Sequence, residues 1–393
     1  MKRQYDLLYV EGPGDVVEAF ERWSRQEDVI TETSRTYSSQ FFDFCRKYEL
    51  RTCAMSYCSQ AKWASDERFW VENRPKPLAG AGIRYHLAQI LYGLFIVVKA
   101  ARLRPKSINI TSGVTYWWVL APLRLLGIHL IAHMHNCLWP NGYRPSSFSG
   151  RLLLAMDGWF FRRVASAVVC VSPEIERQIK RIAGEKHCPI FQFRGQFYRQ
   201  DFEAPKLPPP HRQKPFRVVF AGRIERNKGV FDMLDMAERL RAEEVCFDIC
   251  GGGSALEELR REAAQRGLES YVHIHGKLSR PDLLKIYQQG HVVIVPTRSD
   301  FCEGMPMVCA EAVLLGRPVI TTRLSNALDV LKGAIAEAQP DDVDSFVLAI
   351  QKLKHDADYF AALCSGCQPL REQFLDGSQG LTAVLEQTYQ SLT

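Results

Sequence analysis

The chain has 393 residues, 46% hydrophobic and 24% charged, with a formal net charge of +6. That length and balance describe an ordinary globular protein of roughly two or three domains with a sizeable core, not a disordered chain. Met1-Lys2-Arg3-Gln4-Tyr5-Asp6 leads directly into a strand-like run, so no signal peptide is expected; the twelve cysteines then imply free thiols in a reducing, cytoplasmic compartment.

In chain order, 5–10 (YDLLYV) predicts a strand, Glu11 to Asp15 a glycine-bearing turn, and 16–23 a helix. The full GxGxxG fingerprint is absent, so NAD is not implied. Gly12 and Gly14 either let a ligand approach the backbone or simply tighten the turn. Residues 20–75 alternate short apolar runs with polar breaks and are the least readable part. A long helix is predicted over 84–103, ended by Pro105. Its apolar stretch Leu87 to Ala101 is too short and too interrupted by Gln89, Tyr92 and Lys99 to span a bilayer, so it reads as a buried helix. A strand (107–111), a helix (115–127), a strand (129–136), a helix (152–164) and a strand (167–171) follow. Ser172-Pro173-Glu174 then opens another helix, with Ser172 as its cap. His133, His135 and Asn136 sit at a strand's C-terminal end, where open α/β sheets collect ligands.

Residues 203–215 (EAPKLPPPHRQKP) are the best linker in the chain. A second α/β run begins at 217–222, with strands at 245–250, 271–276 and 291–295. Gly251-Gly252-Gly253 forms a turn, and Ser279 to Asp282 a capping-box variant that opens a helix. Residues 340–372 read as helical, and a last amphipathic helix spans about 378–392. Strand–helix alternation in both halves predicts two doubly wound parallel sheets with a cleft between them. The cysteine pair Cys364 and Cys367 has no second Cys/His pair nearby and reads as structural.

The chemistry concentrates in 296–320. Glu303 and Glu311 stand eight apart, Gly304 and Pro306 bend the chain between them, and a helix starts near Met307 and stops at Gly316. A strand, a glycine turn and a helix N-terminus make an anion site. Arg223 and Lys228, after the first strand of this half, suit a diphosphate: arginine offers a planar fork, lysine a point charge. Carboxylates beside an anion site suggest hydroxyl binding, and a nucleotide sugar has both hydroxyls and phosphates.

Arg223…Lys228, the triple glycine, His275-Gly276, Pro296…Ser299 and Glu303-x7-Glu311 together resemble the retaining glycosyltransferases of family 4. The resemblance is strong over 216–322, weaker over 105–200 and faint before 75. It implies the GT-B fold: two Rossmann-like, doubly wound α/β domains facing each other across a cleft. The boundaries expected are 1–205 for an acceptor-binding domain, 206–215 for the linker and 216–375 for a donor-binding domain. The helix at about 376–393 is expected to pack back onto the first domain.

By that resemblance Arg223 and Lys228 clamp the donor diphosphate, Glu311 holds the ribose hydroxyls, and Glu303 lies beside the transferred sugar. The backbone of Gly304, Met305, Pro306 and Met307 faces phosphates or sugar. His135, with His133 second, reaches the sugar from the N-terminal half, so Glu303 and His135 are the expected catalytic pair. Gly253, Gly12 and Gly14 approach the donor, and the backbone near Gly276-Lys277-Leu278 contacts the base. No metal or cofactor is expected, because the cations can carry the leaving-group charge. The chain departs from the family pattern at Met305-Pro306, which replaces an aromatic-glycine pair, at Arg194 and at Pro13. The implied activity is transfer of a sugar from a nucleotide diphosphate sugar to a glycan or lipid-linked acceptor. A nucleotide-sugar epimerase and a non-catalytic nucleotide-sugar binder are the alternatives.

Charge separates the two halves. Residues 1–210 hold 29 Lys+Arg against 19 Asp+Glu, and no acidic residue lies between Glu72 and Asp157, a window with ten basic ones. This basic, aromatic stretch predicts an anionic partner. A membrane surface fits, which would place the chain peripherally at the inner face; no nucleic-acid-binding signature accompanies the charge.

Overall fold

The computed structural model describes residues 4–27, 32–76, 82–202 and 207–392. The N-terminal half forms an eight-stranded sheet in the order β3-β4-β2-β1-β5-β6-β7-β8. Its strands are β1 (Leu7–Pro13), β2 (Thr52–Tyr57), β3 (Lys62–Ser65), β4 (Phe69–Arg74), β5 (Ser107–Thr111), β6 (His129–Met134), β7 (Ala167–Cys170) and β8 (Ile190–Gln192). All neighbours are parallel except β3, which pairs antiparallel with β4 at the edge. Six helices accompany them: α1 (Val16–Ser24), α2 (Tyr37–Lys47), α3 (Ile83–Leu103), α4 (Pro122–Leu125), α5 (Phe148–Arg163) and α6 (Pro173–Ala183).

Local chemistry sets these boundaries. Asp15 caps α1 by accepting from the Glu18 N–H at 2.8 Å, so the N-terminal turn ends one residue before the helix. The unreadable stretch before 75 contains α2 and three strands. β2 is buried along nearly its whole length, which removes the alternation that marks a half-exposed strand. The helix expected over 115–127 splits into a 3-10 turn, Trp117–Leu120, and α4. Pro122 lacks an N–H and can only start the second piece. α5 starts four residues earlier than expected, because Ser147 accepts from the Gly150 N–H. Ser172 does occupy the cap position of α6, but its hydroxyl makes no capping bond.

The expectation of a buried helix at 84–103 is corrected. The α3 face with Tyr92, Ile96 and Ala100 packs into the N-terminal core, but Ile83, Leu87, Leu91, Leu94 and Val98 are exposed. The helix is apolar on both faces, and only one of them meets the sheet.

The C-terminal sheet has six strands, all parallel, in the order β11-β10-β9-β12-β13-β14. They are β9 (Phe216–Ala221), β10 (Val245–Cys250), β11 (Val272–Gly276), β12 (Val292–Val295), β13 (Val319–Thr321) and β14 (Ile335–Glu337). The helices are α7 (Val230–Arg239), α8 (Leu256–Gln265), α9 (Arg280–Gln289), α10 (Met307–Leu314), α11 (Val343–His355), α12 (Ala357–Cys367), α13 (Glu372–Leu375) and α14 (Leu381–Gln390). The helical run expected over 340–372 breaks at Asp356, whose carboxylate caps α12. Cys364 and Cys367 lie on α12 against the C-terminal cores, and all twelve cysteines are free thiols.

Two connections tie the halves together. Phe197 and Phe202 already belong to a core shared with α10 and Phe374, so the chain joins the C-terminal half before the proline-rich stretch. Residues 203–206, where the expected linker begins, lie outside the described residues. In the other direction, Leu381, Val384 and Leu385 of α14 bury themselves in the N-terminal core. The Tyr389 hydroxyl meets Ser107 and Asn109 at 2.6 and 2.8 Å. Arg194, at this crossing, donates to Gln373, 179 residues away.

Candidate active site

The C-terminal ends of both sheets open onto one cleft of about 960 Å³. The C-terminal half contributes Arg223 and Lys228 after β9, Gly251 and Gly252 after β10, Lys277 after β11, Thr297 after β12, and Glu303, Pro306, Met307 and Glu311. The N-terminal half contributes Glu11 at the end of β1 and the segment 32–38. Parallel strands point their C-termini the same way, which is why residues from four separate βα turns meet here.

Lys228 and Glu303 form the central pair. The Lys228 ammonium donates to both Glu303 oxygens, at 2.9 and 2.7 Å. Thr297 adds a hydroxyl to Glu303 at 3.2 Å, and the ring of Phe301 lies 3.9 Å from the ammonium. The pair is largely buried, and such a pair holds its geometry because neither charge can be left alone there. Arg223 is different: more than half exposed, it reaches Glu225 at 3.2 Å. An exposed pair of that kind is weak, so the guanidinium is free to turn toward an anion.

Glu311 sits on α10, buried. Its oxygens accept from Thr33 across the cleft at 2.6 Å and from the Tyr287 hydroxyl. Burial raises its pKa, and these two hydrogen bonds hold the rise down. An ionised carboxyl offers about four acceptor positions, so two donors leave room for more. Met307 and Val308 bring the N-terminus of α10 to the cleft wall.

Glu11 is a buried acidic group of the opposite wall, which Glu32 also lines. Ser38 donates to one oxygen at 2.6 Å, and the other oxygen is buried without a hydrogen-bond partner. Burial is the main cause that pushes its carboxyl up to about 7. It can therefore gain or lose a proton near neutrality.

Of the residues expected from the sequence, Arg223, Lys228, Lys277, Glu303, Pro306, Met307 and Glu311 share this cleft. Several others stand elsewhere. Gly304 packs beneath the wall: a Cβ there would lie 1.7 Å from the His135 carbonyl oxygen. Its job is domain contact, supported by the Cys137 N–H donating to the Glu303 carbonyl at 3.2 Å. Met305 is wedged between the two halves. Gly253 lies against the Ile224 backbone, and of the three successive glycines it is Gly251 and Gly252 that face the cleft. A Cβ on Gly12 would touch the Thr111 hydroxyl at 3.4 Å, and Gly14 accepts from the Ser56 hydroxyl at 2.7 Å; the cleft takes Glu11 from that turn. His135 stacks on Tyr37 with centroids 4.4 Å apart, and it is Tyr37 that lines the cleft. Burial lowers the His135 pKa to about 4, so the ring is neutral. His133 is buried deeper, bonded to Asn109.

Sequence reasoning passed over Glu11, Thr33 and Tyr287. Glu11 carried a readable signal, a carboxylate at the end of the first strand. Thr33 and Tyr287 carried none, since each gains its role only by meeting Glu311.

A model described as "Glycosyl transferases group 1" matches residues 202–366, and one described as "Glycosyl transferase 4-like domain" matches 49–188. The chain belongs to the group 1 glycosyltransferases. The transferase is 23% identical over 274 residues to alpha-D-kanosaminyltransferase of Streptomyces kanamyceticus, covering 66% of this chain and 70% of that one. It is 32% identical over 146 residues to lipopolysaccharide 1,6-galactosyltransferase of Salmonella typhimurium, covering 36% of this chain and 40% of that enzyme. Among solved structures, Anabaena HepE in complex with UDP and glucose superposes with a TM-score of 0.64 at 18% identity, covering 99% of both chains. At that identity the likeness speaks for the fold, GT-B, with its two Rossmann-like halves.

Proposed function

We propose that this glycosyltransferase moves a sugar from a nucleoside diphosphate sugar to a glycan or lipid-linked acceptor, retaining anomeric configuration. One observation carries the reading: Arg223, Lys228, Glu303 and Glu311 line a single cleft whose other wall holds Glu11. In this reading Arg223 and Lys228 take the diphosphate, Glu311 takes the ribose hydroxyls, and Glu303 lies beside the sugar. The backbone near Lys277 takes the base. As the bond from the anomeric carbon to the phosphate oxygen breaks, negative charge grows on the diphosphate. The fixed Lys228 ammonium, the Arg223 guanidinium that turns onto the diphosphate and the α10 N-terminus stabilise it more in the transition state than in the bound donor. The acceptor oxygen bonds to the anomeric carbon on the face the phosphate leaves, and its proton passes to the departing phosphate.

Alpha-D-kanosaminyltransferase and lipopolysaccharide 1,6-galactosyltransferase, by name, transfer kanosaminyl and galactosyl groups, and HepE is seen with UDP and glucose. They support UDP-hexoses as the first donors to try. The test is a thermal-shift screen of nucleoside diphosphate sugars, followed by transfer assays of Glu311→Ala and Arg223→Ala with the donor found. Both variants should lose transfer and bind donor more weakly. If both keep full transfer, the assignment fails.

A further inference from the structure

Outside the cleft, the N-terminal half carries an apolar surface that the transfer reaction does not use. On α3, Ile83, Leu87, Leu91, Leu94 and Val98 are exposed at spacings of three or four residues, which places them on one helix face. Phe148, Leu152, Ala155 and Trp159 form the same kind of stripe on α5, with Phe148 77% exposed. The turn Trp117–Leu120 and α4 lie between the two helices, and Leu125 at the end of α4 is 89% exposed. A groove of about 590 Å³ runs there, walled by Ile90, Leu94, Trp118, Met156 and Trp159. An exposed apolar surface of this extent marks an interaction site.

Its rim is cationic. Arg84, Arg102, Arg124, Arg151, Arg162 and Arg163 are exposed, and no ion pair joins any of them to a carboxylate among the described residues. The chain supplies no acidic residue at all between Glu72 and Asp157. A second copy docking through this face would set arginine against arginine. An anionic bilayer instead offers acyl chains to the stripes and phosphates to the arginines.

We propose that the α3–α5 face docks this protein on an anionic lipid bilayer, with the leucine, phenylalanine and tryptophan side chains entering the acyl-headgroup boundary. The helix lies on the membrane rather than crossing it. α3 is the one helix among the described residues long and apolar enough to span. Its Tyr92–Ile96–Ala100 face, however, is committed to the protein core, and pulling it out would expose that core. Unlike the donor-site reading, this proposal does not depend on which sugar is transferred.

The experiment is co-sedimentation of the full chain with vesicles of phosphatidylcholine plus phosphatidylglycerol, against phosphatidylcholine alone. The wild type should pellet with the anionic vesicles and be released as salt rises. Leu91→Asp/Leu152→Asp should weaken the partition at least about tenfold, and Arg124→Glu/Arg151→Glu should abolish the preference for anionic lipid. All four positions are exposed, and unchanged melting temperatures with and without UDP-hexose confirm intact folding and an intact cleft. Trp159 emission should shift to the blue on vesicle addition, a signal lost in Trp159→Phe. Equal binding to both vesicle types, binding to neither, or a dimer that Leu91→Asp/Leu152→Asp dissociates would each overturn the proposal.

Discussion

Thr33 of the N-terminal half donates its hydroxyl hydrogen to Glu311 of the C-terminal half, at 2.6 Å and across 278 positions of sequence. A residue from one wall of the cleft thereby caps a buried carboxylate of the other. If ribose hydroxyls replace Thr33 at Glu311, removing Thr33 has opposite effects on the empty and the loaded protein. Thr33→Val should cost the empty protein about 1–3 kcal/mol, because a buried carboxylate loses a donor. It should tighten donor binding by roughly fivefold, worth about 1 kcal/mol. Melting temperatures with and without nucleotide sugar measure both. Weaker donor binding would mean that Thr33 stays in contact with the ligand.

The Lys228–Glu303 pair separates stability from chemistry. Lys228→Met leaves Glu303 buried and uncompensated, and should cost about 3–5 kcal/mol in chemical denaturation. Lys228→Met/Glu303→Gln removes both charges and should recover most of that loss. Transfer should remain absent in both variants. Recovery of transfer in the double variant would reduce the pair to a structural bridge.

Glu11 sets a pH dependence whose sign is fixed by its environment. Its carboxyl rises from an ordinary 4.5 to about 7 on folding. Between those values the unfolded chain has released the proton that the folded one keeps, so folding stability falls as pH rises through this window. Glu11→Gln should remove that loss and melt above the wild type by about 1–3 kcal/mol at pH 8, with no gain at pH 4. Where ionised Glu11 orients the acceptor hydroxyl by accepting its hydrogen bond before the proton passes to the departing phosphate, the same variant flattens the rise of kcat/KM around pH 7. A wild-type profile with no inflection there would count against that role.

Gly304 tests the contact between the halves. An alanine methyl would press into the His135 carbonyl, a fixed backbone atom that cannot rotate away. Gly304→Ala should lower stability by at least about 3 kcal/mol or push the Glu303 loop off its partner. Thermal melts and donor titration distinguish the two: the first lowers the melting temperature, the second lowers affinity at an unchanged one. Neither change would show that the loop has slack.

Most strands and helices were readable because their signals are local. Hydrophobic period, a capping side chain or a proline acts within a few residues, as with Ser279, which caps α9, and Pro105, just past the end of α3. That Arg223, Lys228, Glu303 and Glu311 gather at one cleft was also readable, since they stand after strand ends or on the first turns of α10. β2 was missed because a strand buried on both faces loses its period. α3 was misjudged for a related reason: an apolar residue does not say whether it faces a core or the solvent.

By itself the sequence determined the two α/β halves, the charge asymmetry and the chemical inventory of the cleft, because propensity, patterning and side-chain type belong to the chain. Only the tertiary structure decided the partnerships. Thr33 and Tyr287 reached Glu311, Lys228 turned to Glu303, Gly304 packed on His135, and the cleft took Glu11 from the turn after β1. Each is a contact between residues distant in the chain or a choice among neighbours in one turn, and such choices are made by packing and desolvation once the two sheets have closed on each other.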